Sequence, residues 1–185
     1  MEVDETGMVM NANDSILPRD CSEVSRDHRF EVRAGSGHAR PGHTFAYDTA
    51  ELEVEPCSRV TVTFVNEDDV RHQWMVHGLP RYLYPGGMFH LEAAGGETRT
   101  GTFIVPSDEV TYLVHCDLAQ HMEKGMKAQL KVGGGSGDLW SVPGISGDRR
   151  RSGTWPVSPA SIVFPAVLTG MILVMILRAV LSRRR

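Results

Sequence analysis

The sequence predicts an antiparallel Greek-key β-sandwich followed by one C-terminal transmembrane helix. Three observations lead there. Short runs of alternating apolar and polar residues recur through the middle of the chain, separated by Gly, Pro, Asn and Asp. No amphipathic helix of useful length lies among them. Near the end, residues 152–177 carry no charge.

Residues 1–20 are acidic and weakly apolar and read as an extended or disordered arm. The run 59–65, Arg-Val-Thr-Val-Thr-Phe-Val, alternates with period two, as a half-buried strand does. Further strands are expected over 28–33, 51–55, 72–77, 98–105, 109–115 and 126–132. Turn signals divide them, among them Pro41-Gly42, the acidic turn 66–69, Pro85-Gly86-Gly87 and Gly95-Gly96. So many short strands in so little chain is the pattern of a sandwich. The folded domain is expected over 21–133. The glycine-rich segment 133–137 then opens a flexible linker over 134–159.

A helix crossing about 30 Å of hydrocarbon needs about 20 residues. Residues 160–181 supply them if Arg178 snorkels to the interface, with Trp155 at headgroup level and a basic tail at 182–185. Arginines flank both ends of the span, so charge counting alone does not orient it. Residues 1–8 show neither a basic start nor an apolar run. Either a leader was removed or the chain is inserted by its tail.

The chain of 185 residues is sized for one globular domain with appendages. Residues 1–148 hold all 23 acids and 12 of the 19 basic residues, a net −11, whereas the last 37 hold seven arginines and no acid. A nucleic-acid binder places a basic face on its folded domain, so no nucleic acid is expected as a partner.

The chemistry concentrates in Val114-His-Cys-Asp-Leu-Ala-Gln-His-Met-Glu-Lys-Gly-Met126. Cys116, His121 and Met126 recur every five residues in a loop between two expected strands. One thiolate, one imidazole and one thioether are soft-to-borderline donors, which suit copper better than magnesium or calcium. Two His and one Cys with a weak axial Met would make a blue-copper site, so one more His is needed. His72 is the candidate, because it follows the strand 60–65 and an acidic turn.

These segments resemble the cupredoxins, or blue copper proteins. The run VTFVNEDDVRHQ is similar to their strand–turn–His segment, and HCDLAQHMEKGM to the type 1 copper loop of multicopper oxidases. The resemblance covers about residues 28–133 and implies His72, Cys116, His121 and Met126 as copper ligands. It implies His121 as the port for electrons. The oxidases flank their Cys with His on both sides. Here Asp117 follows Cys116 and no His-x-His pair occurs, so a multicopper oxidase is not expected, nor a nitrite reductase. One such domain with a C-terminal anchor is also similar to the small membrane-anchored cupredoxins associated with methane and ammonia monooxygenases. That resemblance leaves open a dinuclear site. Gln120 stands where a second bridging Cys would be needed, so such a site would require a homodimer.

His115 should face away from Cys116, and His77 away from His72, because neighbours alternate in a strand. With Met75, His77 would offer a weak Cu(I) surface site, although a hydrogen-bonded or exposed side chain is the simpler expectation. Met88, His90 and Met122 read as packing or surface residues, and Trp74 and Tyr112 as core. Cys21 and Cys57 form an even pair beside one ligand thiol, which suggests a disulfide. The alternatives are two unrelated thiols, or Cys21 with Met8 and Met10 as a separate Cu(I) site.

The expected protein is not an enzyme. It is a single-pass membrane protein whose copper domain lies on the periplasmic side and transfers single electrons to a redox partner protein. The competing expectation is copper delivery to a membrane copper enzyme.

Overall fold

The computed structural model describes residues 2–147 and Ser182, with Glu2 and Val3 described by their backbone alone. The transmembrane helix expected over 160–181, the latter part of the linker and the rest of the basic tail lie outside the described residues. Among the described residues no helix is long and apolar enough to cross a membrane. The chain separates into two units, Met1–Arg149 and Arg150–Arg185, and the sandwich belongs to the first.

Eleven strands are described: β1 Glu2–Asp4, β2 Gly7–Met10, β3 Asp27–Gly35, β4 Ala46–Tyr47, β5 Glu51–Val54, β6 Arg59–Asn66, β7 His72–His77, β8 Met88–Ala93, β9 Thr98–Ile104, β10 Thr111–His115 and β11 Lys127–Val132. They form a seven-stranded sheet ordered β1-β2-β8-β7-β10-β11-β5 and a four-stranded sheet ordered β4-β3-β6-β9. The two-period of β6 is realised literally. Val60, Val62 and Phe64 are fully buried, while Thr61 and Thr63 turn outward and meet Thr102 and Thr100 of β9 at 2.9 and 3.1 Å. Across the core, Trp74, Phe89 and Phe103 pack as an aromatic cluster, with 4.6 Å between the centroids of the last two.

Three sequence expectations are corrected. The sheets are mixed rather than antiparallel. β11 runs parallel to β5 with Leu130 beside Leu52, and β6 runs parallel to β3 with Phe64 beside Val32. Alternation reports which face a residue takes and carries no sign of strand direction, so the parallel pairs left no trace in the pattern. The N-terminal arm is not a disordered appendage but is built into the sheet: β1 and β2 form a hairpin whose second strand pairs with β8, and Asn11 donates to the carbonyls of Pro85 and Met88 at 2.8 and 2.7 Å. The first part of the linker is docked as well. Thr111 and Ser136 exchange two hydrogen bonds, Leu139 N–H donates to Gln129 Oε1 at 2.9 Å, and Val142 is fully buried.

Cys21 and Cys57 form a disulfide with their Cα atoms 5.7 Å apart. It fastens the segment after the hairpin to the β5–β6 turn, which excludes the separate site of Cys21 with Met8 and Met10.

Candidate metal centre

The centre forms at one end of the sandwich, where β7 begins and β10 ends. Inward-facing residues of β7 are Trp74 and Val76, and the same two-period places His72 on the core side at the strand's first position. On β10, Tyr112 and Val114 face inward, so Cys116 arrives on that side one residue past the strand. Both side chains are fully buried.

The loop 117–125 returns the chain through tight turns. His121 N–H donates to Leu118 O at 3.0 Å, and Lys124 N–H to Gln120 O at 3.0 Å. Gln120 and Gly125 take positive φ, 69° and 113°. A side chain at Gly125 would come within 2.6 Å of the His43 ring, so only glycine lets the loop pass beneath residues 43–45. Met126 N–H then donates to His121 O at 3.0 Å, and Cys116 N–H to Met126 O at 3.3 Å. The backbone therefore clasps three of the four expected ligands to one another. The Met126 side chain is fully buried in the core cluster that also contains Cys116.

The donors converge. His72 Nδ1 lies 3.2 Å from His121 Nδ1, which lies 3.5 Å from Cys116 Sγ, and all three are within 4.8 Å of one another. Donors bound to one first-row ion at about 2.0–2.3 Å stand about 3–4 Å apart. The spacing fits one ion with two imidazole nitrogens and one thiolate. Of the four expected ligands, only His121 is partly exposed. Burial pushes the Cys116 thiol up to about 11, against hydrogen bonds from the Leu118 and Gln73 backbones that draw it down. Burial also lowers the His121 pKa, with His72 and Lys124 adding to the effect. A thiol and two imidazoles packed this closely are poised to exchange a proton for a soft cation.

Two participants escaped the sequence reading. Asp68 Oδ2 lies 2.8 Å from His72 Nε2, so that nitrogen carries the proton and the Nδ1 lone pair faces the centre. Asp68 is itself held by Ser36, whose N–H and hydroxyl donate to it at 2.8–3.0 Å. The second is Phe45, half-buried, whose ring lies 5.0 Å from that of His72 and 4.5 Å from that of His121. Nothing periodic marks either: Asp68 is one of three consecutive acids, and Phe45 lies in a Gly/His-rich loop.

His115 and His77 face away from the centre, as alternation predicts, and their rings stack at 4.8 Å. His28 and His38 pair with Glu55 and Glu67 at 2.5 and 2.8 Å.

No family model and no curated protein matches the chain. Among solved structures, it is similar to the blue copper protein auracyanin A of Chloroflexus aurantiacus, with 22% identity over 58% of this chain and 99% of that one and a TM-score of 0.45. Auracyanin B gives 19% identity over 70% and 99% of the two chains, with a TM-score of 0.49. The blue copper oxidase of Nitrosomonas europaea gives 20% over 61% of this chain and 40% of that one, with a TM-score of 0.46.

Proposed function

We propose that the protein is a cupredoxin-like electron carrier that binds one copper ion through His72, Cys116 and His121, with Met126 as a weak fourth ligand. The observation that carries this reading is the convergence of two imidazole nitrogens and one thiol in a buried pocket closed by fixed backbone hydrogen bonds. That donor set is the one blue-copper electron transfer uses. Copper supplies a one-electron couple when bound. The chain's own part is to hold the donors in place. His72 is locked by Asp68, Cys116 by its strand and the Met126 carbonyl, and His121 by Phe45 and the loop turns, so little rearrangement accompanies a change of charge.

His121 is the partly exposed ligand and would be the point of contact with a partner. The acidic domain would steer that partner, a basic redox protein, faster at low salt. The tail 160–181 would tether the domain to a membrane from the periplasmic side, where the Cys21–Cys57 disulfide is compatible with the redox environment.

Copper titration of the full chain, followed by visible absorption and electron paramagnetic resonance, tests the reading. An intense thiolate-to-copper band with narrow hyperfine splitting, at one copper per chain and lost in Cys116→Ser, is the expected result. A colourless protein at saturating Cu(II) would overturn it, and a multi-line spectrum from two coupled ions would replace it with a paired site between two chains.

A further inference from the structure

The outer face of the seven-stranded sheet carries a second cluster with its own chemistry. In register across β10, β7 and β8, His115 stands opposite Met75 and Met75 opposite His90. Residues so placed have Cβ atoms about 4.5–5.5 Å apart. His77, two residues along β7, is the diagonal neighbour of both histidines and stacks on His115 with the ring planes 14° apart. Met75, His90 and His115 are 4, 4 and 6% exposed.

A buried imidazole normally finds hydrogen-bond partners for its ring nitrogens. Here His77 Nε2, His90 Nε2 and His115 Nδ1 are buried with none. The closest carboxylate oxygen recorded, Glu92 Oε2, is 4.0 Å from His90 Nε2 and is engaged by Gln73 at 2.6 Å. A buried polar group left without a partner is costly. Three in one patch around a buried thioether is an arrangement that wants an ion.

We infer that His77, His115 and Met75, with His90 in reach, form a second metal site selective for a soft monovalent cation, Cu(I). The donors are all neutral, two or three imidazoles and one thioether, and neutral donors in an apolar setting accept a single positive charge more readily than two. Glu92 and Asp117 supply negative charge nearby, and both act on His90 electrostatically. Small ring rotations would turn the stacked imidazoles' free nitrogens towards a shared ion. Because His115 and Cys116 are consecutive, the two sites lie on opposite faces of one strand end, joined by a single peptide unit. The second site would serve as a reservoir or entry point for Cu(I), a role that does not depend on what occupies the Cys116 centre.

The test is anaerobic titration of the full chain with Cu(I) against a chromogenic chelator. Wild type is expected to take two equivalents, and Cys116→Ser one. Met75→Leu, which keeps apolar volume, and His77→Ala are each expected to lose the second equivalent and keep the first. In Cys116→Ser, X-ray absorption should show nitrogen and thioether donors without thiolate. A single equivalent in wild type overturns the inference. So does a second equivalent that survives both Met75→Leu and His77→Ala. Near-ultraviolet circular dichroism of each variant verifies that lost binding is not lost fold.

Discussion

Asp68 decides which nitrogen His72 offers. Its carboxylate accepts the hydrogen bond from Nε2–H and is fixed in turn by Ser36 N–H and Oγ, so rotating the imidazole would break its bond to an acceptor that is itself held in place. Outer partners of this kind are worth about 10–100-fold in metal affinity. Asp68→Asn, which keeps size and removes charge, is expected to weaken copper binding by about that factor while leaving the melting transition of the metal-free protein within a few degrees. Competition titration and calorimetry check the two halves separately. Of the four expected ligands, Cys116, His121 and Met126 stand out in the sequence because they share one short loop, and His72 because it follows a strand and an acidic turn. Asp68 does not, because an acid among acids signals only a solvated turn. The outer histidines were legible in part. Alternation placed His115 and His77 facing away from the centre, as observed, but it could not show that His90 stands in register beside Met75, because β8 was not read from the sequence.

At the level of elements, the metal loop depends on a glycine and the frame on a disulfide. Gly125→Ala would set a methyl group against the His43 ring at a positive φ, and is expected to destabilise the loop by about 1–3 kcal/mol. Denaturant unfolding of the metal-free protein, beside its copper affinity, reads both consequences. The Cys21–Cys57 bridge closes a loop of 36 residues. Replacing both with Ser is expected to cost about 3–4 kcal/mol on the loop-entropy account, seen as a lowered unfolding midpoint. Most strands were legible from their two-period, β6 and β7 nearly to the residue. β8 was missed because Met88-Phe-His-Leu-Glu-Ala93 mixes a histidine and a glutamate into a row whose outer face is largely covered. β4 was missed because two residues make no period.

For the whole domain, the C-terminal segment behaves as a strap. Lys131 bridges Glu51 and Asp138 at 2.8 and 2.9 Å, and Gln129 grips Asp138 and Leu139. The hydrogen bond from Lys131, followed by that from Gln129, holds the Asp138 carboxyl below its ordinary 3.8. A depressed carboxyl pKa means the stabilisation is complete above the unfolded value and is lost as pH falls through the folded one. The strap is therefore expected to loosen as pH falls below the ordinary 3.8 and through the lowered folded value, while the core persists, visible as faster exchange of the Leu139 amide. Composition could not reveal the strap, since Gly133–Gly137 looks like linker and its anchors are single polar side chains on β10, β11 and β5.

The parallel pairing of β11 with β5 has a consequence in time. Residues 51–54 find their partner only once residues 129–132 exist, and the donors of the metal centre are divided between β7 and the loop that β11 closes. Long-range pairings of this kind are slow to form. Should that pairing form last, it would complete the pocket, and the ion would arrive in a finished cavity rather than gather the chain around itself. Refolding rates are expected to be the same with and without copper, and stopped-flow fluorescence of the buried Trp74 would time the closure.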